Sequence, residues 1–257
     1  MSNNLKLPNE TINKIYDDIA HPSATETGKF ISRIPRAINA AFSSLDCWIL
    51  QREHNVQKTK ILLEENLKNV EADKIVNPEP YVAVPAIQAL SYSMDSDELR
   101  KMYANLLAKS IYSDTKSDVH PAFVEIIRNL SPLDCNVFEC IMKKGEIGYY
   151  EMRVYNVGTD LYRVIFPYIT EFEFSSYDKI AASIDNLARN NLVLPEDFHY
   201  DNDNMYLPTR NTMFYQSVVK SFECNSNNEE LRPYQKAIKS TTLGQVFYRI
   251  CSLPLTV

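Results

Sequence analysis

Glycine is scarce in this chain, with 5 in 257 residues. That disfavours a glycine-rich phosphate-binding fold and a barrel dense in tight turns. No CxxC pair occurs, and the five cysteines (Cys47, Cys135, Cys140, Cys224, Cys251) are odd in number and scattered. The pattern fits buried, reduced thiols in a cytoplasmic protein better than a disulfide scaffold. Long apolar runs are missing too. The nearest, Ile34 to Leu50, is broken by Arg36, Asn39 and Asp46, so no membrane span is expected. The opening MSNNLKLPNETINK has neither a basic start nor an apolar stretch, which argues against a signal peptide.

Catalytic motifs are absent in the same way. The four histidines, His21, His54, His120 and His199, show no HExxH and no helical i, i+4 pair. There is no GxSxG. Thr27-Gly28-Lys29 has the tail of a P-loop, but Ser23 stands where the upstream glycine belongs and Phe30 where serine or threonine belongs. Cys135 and Cys140 lie five apart on one expected helix, face different ways and have no neighbouring histidine, so they read as apolar fillers. A tertiary site pairing His120 with Asp134 or Glu125 stays open at this level. The expectation is no catalytic residue, no metal and no cofactor.

What is present is ordinary globular composition, 45% hydrophobic and 23% charged, enough for a sizeable core. Tyrosine is abundant at 16, a residue that serves both cores and interfaces. The net charge of −6 is unevenly spread. Between Glu171 and Met205 eight acids face two bases, Lys179 and Arg189, so the remainder is near neutral. Neither part offers a broad phosphate-binding surface.

Apolar positions from Ile31 to Val70 recur three and four apart and predict one long helix over 31–71. At 1.5 Å per residue it would span roughly 60 Å and need several helices or a second copy of itself as cover. A homodimer is one of the two ways to supply that cover. Asn77-Pro78-Glu79-Pro80 reads as a stiff linker, and Pro85 as the start of a short helix. Three helix starts then follow in about forty residues. Asp95 with Glu98 forms one capping box, His120-Pro121 opens the next helix, and Ser131-Pro132-Leu133-Asp134 opens the third.

After Gly145 the pattern changes. Glu151–Val157 and Asp160–Tyr168 read as strands around Gly158. A helix follows over 177–190, then apolar runs at 192–195 and 205–208 around an acidic loop. Residues 211–222 read as helix, 223–232 as a surface loop, and Thr242-Leu243-Gly244-Gln245 as a last capping box. The expected fold is mainly α: a helical domain, 1–130, built on the long helix, followed by a winged-helix-like α+β domain, 131–257.

A winged helix raises DNA binding. The reading helix, YDKIAASIDNLARN, sets Lys179 and Arg189 against Asp178 and Asp185. The wing PEDFHYDNDN carries four acids and no lysine or arginine, which repels phosphate. Protein contact is the better use of such a module, with a DNA-binding regulator as the alternative. Trp48, the sole tryptophan, is a candidate partner anchor.

The stretch NPEPYVAVPAIQALSYSMDSDELRKMYANLLAKSI…VHPAFVEIIRNLSPLD resembles the abortive-infection alpha family. The likeness rests on Pro78 and Pro80, Asp97-Glu98-Leu99, Asn105-Leu106-Leu107-Ala108, His120-Pro121 with Phe123, and Leu130-Ser131-Pro132-Leu133. GKF…IPRAINAAF and TTLGQVFYRIC also look like that family, so the likeness covers most of the chain. It implies phage defence, in which an infected cell arrests or dies before progeny are released. It carries over no active-site residue. The resulting expectation is a non-enzymatic, cytoplasmic defence protein that works through contact with a phage or host protein. The alternative is a winged-helix DNA-binding regulator of a defence or toxin–antitoxin operon. Most of the diagnostic residues have a structural role as caps or core. Asn105 and His120 have none visible in the sequence, and with Trp48 they are the candidate partner contacts.

Overall fold

The computed structural model describes residues 53–90, 96–158, 161–223 and 229–256. The described residues divide into two compact units, one from those up to 129 with 247–256 and one from those between 130 and 246. Residues 31–52 of the expected long helix, with Trp48, lie outside the described residues. The described part, α1 (Glu53–Leu67), ends four residues before the expected limit.

In the first unit α2 (Pro80–Leu90) starts at Pro80 and holds Pro85 inside it. Two prolines compete for the first helical position, and the earlier one takes it. The centre of the unit is α3 (Asp97–Ile111), with Leu99, Met102, Tyr103, Leu106, Leu107 and Ile111 all buried. Ser96 caps it, accepting from Leu99 N at 3.2 Å, and takes the place expected of Asp95, which lies outside the described residues. The polar stretch after it forms a short α4 (Ser113–Lys116). The short α5 (Ala122–Arg128) and the returning C-terminal segment complete the unit's described helices.

The second unit opens on α6 (Pro132–Lys144), started by the expected capping box. Ser131 Oγ accepts from Asp134 N at 3.2 Å, and Asp134 Oδ2 accepts from Ser131 N at 2.6 Å. The same carboxylate oxygen accepts from Asn186 Nδ2 at 2.9 Å, which ties α6 to α7 (Tyr177–Arg189). Ser131→Ala is expected to cost about 1 kcal/mol in a urea melt, the ordinary value of a cap.

The unit's four-stranded antiparallel sheet has the order β2-β1-β4-β3. β1 (Glu146–Asn156) and β2 (Tyr162–Ile169) form a hairpin whose turn uses Gly158 at φ 86°. β3 (Val193–Glu196) and β4 (Glu229–Ser240) complete the sheet. β4 pairs along all of β1, from Glu146↔Lys239 to Asn156↔Glu229. Tyr150, Met152 and Ile169 turn one face toward a core with Tyr206, Tyr215 and Val218. Those last three come from the segments around α8 (Leu207–Arg210) and α9 (Met213–Glu223).

This architecture corrects the expected one. The protein is α+β around a curled antiparallel sheet, not mainly α with a winged helix. A winged helix would pair 192–195 with 205–208. Instead β3 pairs with Ala237–Ser240 of β4. Residues Asp203–Met205 form a 3₁₀ turn that leads into α8. The start of β4 hid in the stretch 223–232 read as loop, and its remainder was assigned no element, because EELRPYQKAIKS is charged and contains Pro233. The proline is tolerated there because β3 covers only the far end of β4 and, among the described residues, no strand pairs with the other side of Pro233. The last helix, α10 (Thr242–Phe247), is capped by Thr241, whose Oγ1 accepts from Gly244 N at 2.8 Å.

Candidate functional site

Two polar arrangements stand out, and each follows from where the strands and helices place their side chains. The first is on the sheet. Strand alternation puts Glu151, Arg153 and Tyr155 of β1 on the face opposite the Tyr150–Met152 core. Register then sets Tyr234 opposite Glu151, Arg232 opposite Arg153, and Glu230 opposite Tyr155. On the other side β2 sets Val164 opposite Arg153 and Tyr162 opposite Tyr155.

These residues make a layered cation–aromatic surface. The Arg153 guanidinium lies 4.1 Å from the Tyr234 ring centre and 4.6 Å from that of Tyr162. Arg232 lies 4.4 Å from the Tyr155 ring, and Tyr155 and Tyr162 are 5.1 Å apart. The Tyr155 and Tyr234 hydroxyls share a 2.7 Å hydrogen bond. Contacts of this kind are worth about 0.5–1 kcal/mol each where solvent reaches them. Each base also has its own acid: Arg153 with Glu151 at 2.6 Å, Arg232 with Glu230 at 2.8 Å, and Lys236 with Asp197 at 2.7 Å. Burial works against the Lys236 ammonium, but Asp197 and Glu151 outweigh it and hold its pKa above the ordinary lysine value. Three bases against three acids leave the face neutral. Its centre is covered by its own stacking, with Tyr155 buried and Arg153 and Tyr234 half-buried, but its β2 side is open to solvent, with Tyr162 49% and Val164 43% exposed, and it runs on to Val157 and Leu161 at the hairpin end, 53% and 71% exposed.

The second arrangement is in the first unit. Since α3 is buried on nearly every side, its polar residues need partners inside the protein. Asn105 Oδ1 accepts from Asn66 Nδ2 at 3.0 Å, and Asn105 Nδ2 donates to the Cys251 carbonyl at 2.9 Å. Asn66 Oδ1 accepts from Leu255 N at 2.9 Å. Lys109 Nζ donates to the carbonyls of Arg249 at 2.5 Å, Ile250 at 3.2 Å and Leu253 at 2.6 Å. These carbonyls belong to or follow a π-helical turn, Tyr248–Ser252. Burial lowers the Lys109 pKa to about 8. Burial also raises the Cys251 thiol well above its usual range, the reverse of what a nucleophile needs. This cluster clasps the C-terminal segment to α3.

The expected contact residues therefore separate. Asn105 is buried and belongs to the clasp. His120 is exposed, and its Nδ1 accepts from Ala122 N at 3.1 Å at the start of α5, with its ring 5.9 Å from Phe123. The carboxylates weighed beside it are occupied elsewhere: Asp134 in the capping box and Glu125 beside Arg128 at 3.7 Å. Burial raises the Cys140 thiol. Among the described residues, no three histidine, cysteine or acidic side chains gather as a metal would require, and no helix is long and apolar enough to cross a membrane. The sheet face was missed. Its only trace in the sequence is the excess of tyrosine.

Fold and site together define an α+β protein whose prominent polar groupings are a cation–aromatic sheet face and a clasp on the C-terminal segment. The chain belongs to the abortive infection alpha family, whose model matches residues 51–251. Membership associates it with abortive infection. An uncharacterized protein from the hydrocarbon-degrading marine bacterium Alcanivorax borkumensis SK2 is similar at 12% identity, with a TM-score of 0.32, over 51% of this chain and 92% of that chain. A likeness of that size carries no argument. No curated protein matches.

Proposed function

We propose that the protein serves abortive infection without catalysis, by binding a phage or host protein on the tyrosine–arginine face of its sheet. The observation that carries this reading is the composition and charge of the face. Tyrosine and arginine are the residues that most often dominate protein interfaces, and the contiguous apolar hairpin end adds area to bury. Neutrality argues against nucleic acid, because each base already has a carboxylate that would repel phosphate. Strand addition is a poor alternative, since both edge strands contain a proline, Pro167 in β2 and Pro195 in β3. The face is thus the better docking surface of the sheet.

The double variant Tyr162→Ala/Arg232→Ala tests it. Both side chains are exposed, so the stability cost should stay at about 1–2 kcal/mol, the loss of two cation–π contacts. In cells challenged with a phage that the natural protein blocks, the variant is expected to let plaques form at close to the undefended frequency. Full protection by a folded, normally expressed double variant would overturn the reading.

A further inference from the structure

A second place in the sheet unit has the form of a binding site. Where β2 ends, the loop 170–176 and the starts of α7 and α9 enclose a cleft of about 400 Å³. That is within the usual range for a site that takes a side chain or small ligand. Its wall is aromatic. Tyr177 and Phe214 stack at 4.8 Å, inclined by 8°, and Phe166 packs its edge on both at 5.0 and 5.2 Å. Met213 stands at the rim, 79% exposed.

The electrostatics decide the ligand. Among the described residues no lysine or arginine lines the cleft, and Glu173 does. Two helices begin there, and a helix start carries about half a positive charge. The α9 start is already matched, because Glu173 Oε1 accepts from Met213 N at 2.8 Å. The α7 start has Asp178 in its first turn. Asp178 does not line the cleft, so the charged side chain that a ligand there meets is Glu173. Glu171, close in sequence, is engaged by Lys144 at 2.5 Å. A phosphate or carboxylate would meet repulsion, while a cation with an apolar stem would meet a carboxylate and aromatic rings. A guanidinium suits this better than an ammonium, because it is planar, weakly hydrated and stacks on rings.

We propose that the cleft receives an arginine side chain from an extended segment of a partner protein, with Glu173 as its charge partner. This rests on the reading of the protein as a binding component only in taking the arginine from a polypeptide. The cleft is tested on the isolated full chain and the sheet face in infected cells, so either can fail alone.

The test is an amide-shift titration of the full, nitrogen-15-labelled chain with acetyl-Gly-Arg-Gly-amide, following Ser176, Thr212 and Met213. Saturable shifts are expected with this peptide. They should weaken about tenfold with acetyl-Gly-Gln-Gly-amide, and about tenfold again when Glu173→Gln meets the arginine peptide, the loss expected for one charge-assisted hydrogen bond. Glu173→Gln keeps an oxygen for Met213 N, so folding is preserved. Ser217→Arg, at an exposed position on the cleft, should fill it from within and abolish the shifts. The proposal is overturned if no saturable shift appears, if the glutamine peptide binds equally well, or if either variant binds like the natural chain. It is also overturned if acetyl-Gly-Glu-Gly-amide or inorganic phosphate binds more tightly, which would make this an anion site on two helix starts.

Discussion

Replacing Lys109 with methionine is expected to cost about 3 kcal/mol of stability, as buried acceptors lose their donor. Methionine reproduces most of the stem, so packing survives. The carbonyls of Arg249, Ile250 and Leu253 lose the amine that gathers them. Part of the loss is offset because an ammonium no longer has to leave water. A urea melt reads the total. Hydrogen exchange should show faster exchange at Leu253 and Leu255, while the sheet is unaffected.

The pH dependence supplies an independent check. The folded Lys109 pKa is about 8 and the ordinary value 10.5, with burial as the main cause. Between these values the unfolded chain binds more protons than the folded one, so stability rises with pH in that window. Below pH 8 both states carry the charge, and this group gives no slope. The methionine variant lacks it altogether. The stability gap between the natural chain and the variant should therefore widen from pH 8 to 10.5, with tyrosine titration cancelling in the difference. A constant gap would mean that the amine is not buried as described.

Gly244→Ala should cost at least about 3 kcal/mol, at the upper end for overpacking, because the obstacle is backbone. An added Cβ would press on the Leu192 carbonyl oxygen and come within 2.9 Å of its carbon. Leu192 has little room to retreat. Its N–H donates to Leu187 O at 3.0 Å, its carbonyl accepts from Thr241 N at 3.2 Å, and β3 starts one residue later. Thr241, which caps α10, also donates to Asn191 O at 2.5 Å. For a chain of this size the loss corresponds to a fall in Tm of roughly 6–12 °C. A fall under about 2 °C would contradict the close approach of α10 to the start of β3.

Local signals in the sequence were reliable where a residue acts on its own neighbours. The box at Ser131 and Asp134, the hairpin turn at Gly158, and α7 and α9 each depend on residues close in the chain. Errors of one residue arose where two neighbours could do the same job, as with Asp95 against Ser96 and Thr242 against Thr241. The larger error was β4. Its charged residues face solvent or partner acids across the sheet, and its Pro233 mimics a loop, so nothing local marks it as a strand. Without β4 the runs at 192–195 and 205–208 could only be paired with each other, and a winged helix followed. The sheet face was lost for the same reason, since Arg232 and Tyr234 meet Arg153 and Tyr155 only through the β1–β4 register. Asn105 had no visible role because its partners, Asn66 and the Cys251 carbonyl, lie 39 and 146 residues away. The family likeness was legible because it rests on helix starts, which are local.

The proposed action of the protein is to hold another protein on the tyrosine–arginine face. The most direct measurement is a cross-linked pull-down of the full chain from phage-infected cells, natural sequence beside Tyr162→Ala/Arg232→Ala. The natural chain should recover a phage or host protein, and the double variant, folded and equally abundant, should recover it at background level. Equal recovery by both would place the contact elsewhere and contradict the claim, as would full protection by a natural chain that captures no protein.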